Sequence, residues 1–189
     1  MIYPIYIMGS DILREKAKEI DPKEINKEEF AQFVDDLWKT MKESDGVGLA
    51  CPQIGKSLRM FVVDGSDVSD VYPELKDFKR IMINPVIIKE SEETSEYGEG
   101  CLSVPGINGD VIRPKKITIK YLDEKFEEHI EELDNFGARM VQHEYDHLNG
   151  ILFVDHFSPI RKKMIASKLH NIQKGKVRTS YKIKLVRKK

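Results

Sequence analysis

The chain has 189 residues, of which 40% are hydrophobic and 33% are charged, and its formal net charge is −1. This length corresponds to one domain, and the composition excludes a disordered or fibrous chain. No apolar run approaches the roughly 20 residues that a membrane-spanning helix needs, and the start of the chain lacks the basic segment of a secretory signal, so we expect a cytoplasmic protein.

The net charge conceals an uneven distribution. Positions 1–155 contain 19 basic and 32 acidic residues, whereas the last 33 residues contain 12 basic and no acidic ones. Two interpretations of this basic tail remain open: a solvated surface, and a contact with a polyanion such as RNA.

The N-terminal half predicts a helix, a loop and a strand. In residues 23–43, apolar side chains recur at spacings of three and four, which predicts an amphipathic helix. The next segment, DGVGLACPQIG (45–55), contains three glycines and a proline and predicts a loop. LRMFVVD (58–64) predicts a buried strand, and the polar segment 65–79 predicts a surface excursion.

Further strands are predicted in the second half. RIMINPVIIKE (80–90) predicts strand structure divided at Asn84-Pro85. KKITIKYLD (115–123) alternates apolar and polar residues, and KFEEHIEEL (125–133) is its predicted hairpin partner.

Helices are predicted to follow these strands. One runs from Phe136 to Leu148 and ends at Asn149-Gly150. Ser158-Pro159 predicts the N-cap and first residue of a C-terminal helix. The apolar face predicted for that helix consists of Ile160, Met164, Ile165, Leu169 and Ile172. A short last strand is predicted in YKIKLV (181–186), and the order of elements predicts an α+β domain.

Residues 142–150, QHEYDHLNG, contain the pattern H-E-x-x-H on a predicted helix. His143 and His147 therefore lie one turn apart on one face, where both imidazoles can reach a single metal ion. A catalytic zinc-type site generally has three protein ligands and one open position for water. The chain must supply a third donor.

No downstream residue matches the third ligand of proteases that use this motif. Where one such class has a third histidine this chain has Phe153, and no glutamate follows Glu144. Three other donors fall in no recognised ligand pattern: Asp155, His156 and His129. Upstream, EGCLSVPG (99–106) contains Cys101, whose thiolate with the two histidines gives a donor set suited to zinc or iron(II).

Glu144 is the candidate general base. Because it adjoins His143 on the helix, its carboxylate points about a quarter turn away and reaches a water at the open position without binding the metal. It can take the water proton and return it to the leaving nitrogen. A glutamine side chain and a backbone N–H beside the thiolate are available to stabilise the oxyanion.

Together, three stretches resemble the peptide deformylases of the bacterial type, metal hydrolases that remove the formyl group from the N-terminal methionine of new chains. The family is marked by G-Φ-G-Φ-A-A-x-Q (Φ is apolar), E-G-C-L-S and Q-H-E-x-D-H, in that order. Residues 46–53 match the first motif, with Cys51 where the second alanine is usual. Residues 99–103 and 142–147 match the other two fully.

The resemblance implies a role for each matching residue. The metal ligands are Cys101, His143 and His147. The catalytic groups are Glu144 as base and acid, and Gln53 and the Leu102 N–H as donors to the formyl oxygen. The groove in which the peptide pairs like an added strand is lined by Val47, Gly48 and Gly100.

The resemblance also sets the expected cofactor, partners and fold. We expect one divalent metal ion, iron(II) in the cell and zinc(II) or nickel(II) in purified protein. The substrates would be N-formylmethionyl nascent peptides, and hydrolysis would release formate. The protein would act in the bacterial cytoplasm and would bind no membrane. The basic tail fits a transient contact with the ribosome or its RNA. Residues 1–189 would form one catalytic α+β domain with a basic C-terminal helix and tail, 158–189. Its small antiparallel or mixed sheets would pack around a central metal-binding H-E-x-x-H helix, with an N-terminal and a C-terminal helix.

Two other functions remain as alternatives. A metallopeptidase that cuts internal bonds would need a different third ligand. An RNA-binding protein with a structural zinc ion would account for the basic tail. It would need a closed four-ligand site, and Glu144 would then have no function.

Overall fold

A computed structural model of the chain describes residues 1–188, and Lys189, the last residue of the predicted basic tail, lies outside them. The strands are β1 (Ile5–Tyr6), β2 (Gly48–Ala50), β3 (Met60–Asp64), β4 (Lys79–Glu90), β5 (Thr94–Gly100), β6 (Asn108–Pro114), β7 (Lys116–Leu122), β8 (Glu128–Asp134) and β9 (Ile183–Lys184). The helices are α1 (Lys27–Glu43), α2 (Asn135–Leu148), α3 (Pro159–Met164) and α4 (Ala166–Gln173). The α+β class is thereby confirmed.

Antiparallel pairing dominates the sheets. The largest sheet has the strand order β2-β3-β4-β7-β8, and β5 and β6 form a separate hairpin. β1 and β9 pair in parallel and so join the two ends of the chain. α2 packs against β2, β3, β7 and β8. In the described part of the chain, none of the helices has the length and apolar character needed to cross a membrane.

The helix boundaries follow their capping residues. Asn26 accepts hydrogen bonds from the backbone N–H groups of Glu28 and Glu29 at 3.1 and 3.3 Å, so α1 begins at Lys27 and the prediction at residue 23 was early. α2 agrees with its prediction. Ser158 caps α3 by accepting from the N–H of Arg161, as predicted.

The glycine-rich loop prediction was partly wrong. Residues 48–50 form β2, which is fully buried and pairs with β3, and a 3-10 turn over Cys51–Ile54 follows it. Three residues are too few to give a periodic pattern, so the sequence did not indicate this strand. Cys51 is a fully buried free thiol, and burial raises its pKa, so it packs as a small apolar side chain.

β4 is one continuous strand, although its division at Asn84-Pro85 was predicted. Asn84 has a φ of 48°, and the register shifts between Ile83 and Val86. Its side chain accepts from the N–H of Ile20 at 2.9 Å and donates to the carbonyl of Ile20 at 2.8 Å. Asn84 therefore produces a bulge instead of ending the strand.

Two other predictions were wrong in part. Segment 65–79 is not wholly a surface excursion, because Leu75 and Phe78 are buried in the core. The C-terminal helix is divided at Ile165 into α3 and α4. Ile160 and Met164 are 76% and 80% exposed, so they do not share a buried face with the rest of the helix.

Candidate metal centre

The structure brings the three predicted metal ligands together. α2 presents His143 and His147 with ring centroids 5.2 Å apart, and Cys101 follows directly after β5. The Cys101 Sγ lies 3.3 Å from the His147 Nε2, and one donor atom from each of the three residues lies within 4.8 Å of the others. One sulfur and two nitrogens at this spacing suit a zinc or ferrous ion.

The surroundings of His143 favour a bound cation. The Nδ1 of His143 lies 2.8 Å from the Glu99 carboxylate, which fixes the ring and leaves Nε2 as the ligand atom. Burial by itself lowers the pKa of His143, but contacts with Cys101 and Glu99 outweigh it and raise that pKa. An environment that stabilises positive charge on His143 also suits a divalent metal ion, so the residues present fit the expected group.

A buried cluster of charged side chains, Glu99 with Arg113 and Arg139, contacts this centre through His143. Glu99 accepts from Arg113 at 2.7 and 2.9 Å and from Arg139 at 2.7 Å, and all three side chains are buried. Burial alone would raise the pKa of Glu99, but Arg113 and His143 hold it well below its usual range. Neither arginine could be assigned a role from sequence, because Arg113 lies in an unpredicted hairpin and Arg139, although it lies on the predicted helix α2, belongs to no motif.

Glu144 lies in contact with β2. It is 5% exposed, and burial raises its pKa to about 7. A Cβ placed on Gly48 would lie 2.8 Å from the Glu144 carboxyl carbon, so only glycine allows the carboxylate this position. The Glu144 Oε2 has no hydrogen-bond partner within residues 1–188.

Gln53 and Leu102 line the same cavity as Cys101. Gln53 accepts from the N–H of Ala50 at 2.9 Å, and its Nε2 lies 3.1 Å from the Ser103 Oγ and 3.5 Å from the Cys101 Sγ. The Leu102 N–H donates to no acceptor within residues 1–188. The Gln53 amide therefore lies beside the Cys101 sulfur, and the Leu102 N–H belongs to the next residue in the chain.

These groups open into one cavity of about 450 Å³. Its walls include Val47, Gly48 and Gly100, and also residues 178–181 of the C-terminal segment, which the sequence did not connect with the site. This volume is within the range of small-molecule and peptide clefts.

The other donors considered from sequence lie apart from this centre. Asp155 pairs with Arg14, and His156 pairs with Asp146. His129, the second residue of β8, pairs with Asp123 in the turn that precedes the strand. None of them joins the group of Cys101 and the two histidines within residues 1–188.

Comparisons with known proteins agree on one family. The sequence model described as polypeptide deformylase matches residues 2–163. The chain is 51% identical over 174 residues to a peptide deformylase of Fusobacterium nucleatum, covering 92% of this chain and 94% of the relative. It is 43% identical over 189 residues to one of Cytophaga hutchinsonii, covering 100% of both. The crystal structure of peptide deformylase from Thermus thermophilus superposes with a TM-score of 0.80 at 34% identity, covering 93% of this chain and 99% of that one.

Proposed function

Since the chain belongs to the polypeptide deformylase family, whose members remove the N-formyl group from nascent polypeptides, we propose that this hydrolysis takes place at Cys101, His143 and His147. The observation that carries the proposal is the convergence of these three donors beside a cavity that Cys101, His143 and the buried Glu144 line. In this proposal α2 is the central metal-binding helix, and residues 1–189 act as one catalytic domain.

The family is metal-dependent, and Cys101, His143 and His147 are the proposed ligands. We propose iron(II) as the ion in the cell, and zinc(II) or nickel(II) as the ion carried by protein purified in air, because all three accept one sulfur and two nitrogens. When bound, the ion supplies Lewis-acid activation of water and polarisation of the formyl oxygen.

Three groups of the chain handle the proton and the developing charge. Glu144 takes the proton from the attacking water and gives it to the nitrogen that leaves. The Gln53 amide and the Leu102 N–H donate to the formyl oxygen as it becomes negative. The hydrogen bond from the Ala50 N–H to the Gln53 oxygen supports this role, because it directs the amide NH₂ toward Cys101.

The peptide is proposed to bind between two strand edges. β2 is one of the two edge strands of the large sheet, and β5 pairs with β6 alone within residues 1–188. An extended peptide can therefore form backbone hydrogen bonds beside Gly48 on one wall and Gly100 on the other, with Val47 flanking it. Apolar side chains that also line the cavity, among them Met140 and Phe136, suit the side chain of methionine.

Chelation of the metal is expected to abolish formate release from a formyl-Met peptide, because the three ligands then hold no Lewis acid. Anaerobic addition of iron(II), or addition of nickel(II), should restore activity. Formate release measures the reaction, and elemental analysis of anaerobically purified protein should give about one iron per chain, as the three-ligand site requires. Full activity in protein whose metal has been removed, as verified by the same analysis, would contradict the proposal.

We further propose that the protein acts in the bacterial cytoplasm, where nascent chains emerge, and that its basic tail contacts the ribosome transiently. Twelve basic and no acidic residues lie in the last 33 positions. Lys162, Lys163 and Lys168 on α3 and α4 are exposed, which supports a contact with a polyanion.

Changing Lys162, Lys163 and Lys168 to glutamate is expected to weaken ribosome co-sedimentation at low salt about tenfold or more, because phosphate contacts are lost. Hydrolysis of free formyl-Met peptides should be unchanged. Substitution is a sharper test than truncation, because removing residues 174–188 would also remove β9. The matched control changes three exposed lysines elsewhere on the surface: Lys23, Lys27 and Lys76. Equal co-sedimentation of both triple variants and the wild type would refute the contact.

A further inference from the structure

The C-terminal segment 178–181 forms one side of the substrate cavity. It is held there at several points. The Tyr181 hydroxyl donates to the Leu102 carbonyl at 2.8 Å, and the Thr179 hydroxyl donates to the Tyr181 carbonyl at 2.6 Å. The Ile5 N–H donates to the Lys182 carbonyl at 2.8 Å, where β9 begins to pair with β1. The segment is therefore fixed beside the residues that surround the reacting group.

Arg178 brings an available positive charge to this wall. Its side chain is exposed, and it makes no ion pair within residues 1–188. Arg139 also lines the cavity, but it is buried and paired with Glu99. Of these two arginines at the cavity, Arg178 is the one whose guanidinium can meet a bound molecule.

The substrate determines what that guanidinium can recognise. A formylated amine is not protonated, so the reacting end of the peptide carries no charge, and recognition by charge must involve a side chain further along. Glu99 and Glu144 are buried, and Asp45 is the exposed acidic residue at the cavity. An acidic side chain of the peptide would be attracted to Arg178, with which a carboxylate can form two parallel hydrogen bonds.

We infer that Arg178 is a specificity determinant that favours N-formylmethionyl peptides with an acidic side chain in the first residues after methionine. This inference rests on the proposed assignment of the cavity as the substrate groove. Because Arg178 is not one of the groups proposed to act on the formyl group, its effect should appear in KM, with kcat unchanged.

The test compares amidated peptides of the form formyl-Met-X-Ala and formyl-Met-Ala-X, with X as Glu, Gln or Lys. At low salt the wild type should prefer Glu over Gln by about threefold in kcat/KM at one of the two positions, as expected for an exposed ion pair. Arg178→Gln should remove this preference, and Arg178→Glu should favour Lys instead. High salt should reduce the difference in the wild type.

Lys182→Gln is the matched control, because Lys182 is exposed and basic in the same segment but does not line the cavity. It should retain the wild-type preference. The inference is overturned if the wild type shows no preference at either position, or if the preference survives in Arg178→Gln. It is also overturned if kcat/KM of that variant falls by the same factor for all peptides. Such an outcome is distinguishable from failure of the groove assignment, which would show as an active Glu144→Gln variant.

Discussion

Replacing Glu144 with glutamine is expected to lower kcat/KM for a formyl-Met peptide by about 10²- to 10⁴-fold, the usual contribution of a general acid and base. Glutamine has nearly the same shape as glutamate, so it fits against Gly48 without the collision that a larger change would cause. It cannot accept the water proton. Formate release under single-turnover conditions measures the loss at the chemical step.

Metal content and stability separate this effect from structural damage. Glu144 is not one of the three grouped ligands, so the variant should bind metal at the wild-type ratio. Its carboxylate Oε2 is buried without a partner within residues 1–188, so a neutral amide should leave the free energy of unfolding unchanged or slightly higher. More than a tenth of wild-type activity, in protein shown by mass spectrometry to be free of wild-type chains, would rule out Glu144 as the base.

The site was predictable from sequence because its residues cluster in three short motifs. His143, Glu144 and His147 lie on one helix, whose spacing alone places two imidazoles on one face. Cys101 came from a chemical requirement, a third donor, which no downstream residue met. Sequence therefore identified the groups that the proposed reaction uses, since the chemistry restricts which residue types can serve.

The parts that sequence did not predict depend on contacts between distant segments. β5 and β6 are rich in glycine and charged residues, so they lack the alternation that marks a strand, and their pairing is visible only in the folded chain. Arg113 meets Glu99 across this pairing, and Arg139 meets Glu99 because the hairpin packs on α2. In the same way, Tyr181 reaches Leu102 across 79 positions of sequence. Such long-range contacts carry no local pattern.

Glu99→Gln is expected to destabilise the protein by about 3–5 kcal/mol, the usual loss when one partner of a buried ion pair is removed. Arg113 and Arg139 are 5% and 2% exposed. Without the Glu99 carboxylate, Arg113 keeps Asp146 as its acidic partner, whereas the positive charge of Arg139 has no ion-pair partner within residues 1–188. Urea unfolding of the metal-free protein measures this loss, because bound metal would add its own stabilisation to the folded state.

The matched control is Glu131→Gln, which breaks the partly exposed pair between Arg80 and Glu131 and should cost about 1 kcal/mol or less. Equal losses in the two variants would show that the cluster around Glu99 contributes no more than a surface pair.

Glu99 also orients His143, so Glu99→Gln should weaken zinc binding about 10- to 100-fold, whereas Glu131→Gln should leave it unchanged. The amide of glutamine still offers an oxygen to the Nδ1–H of His143, but it removes the negative charge that favours a cation at this position. A competition assay with a chromophoric chelator gives the affinity. If stability falls while zinc affinity stays constant, the carboxylate holds the hairpin to α2 but does not prepare His143 for the metal. If both fall together, one buried charge links the fold of the hairpin to the capacity of the centre to bind its ion.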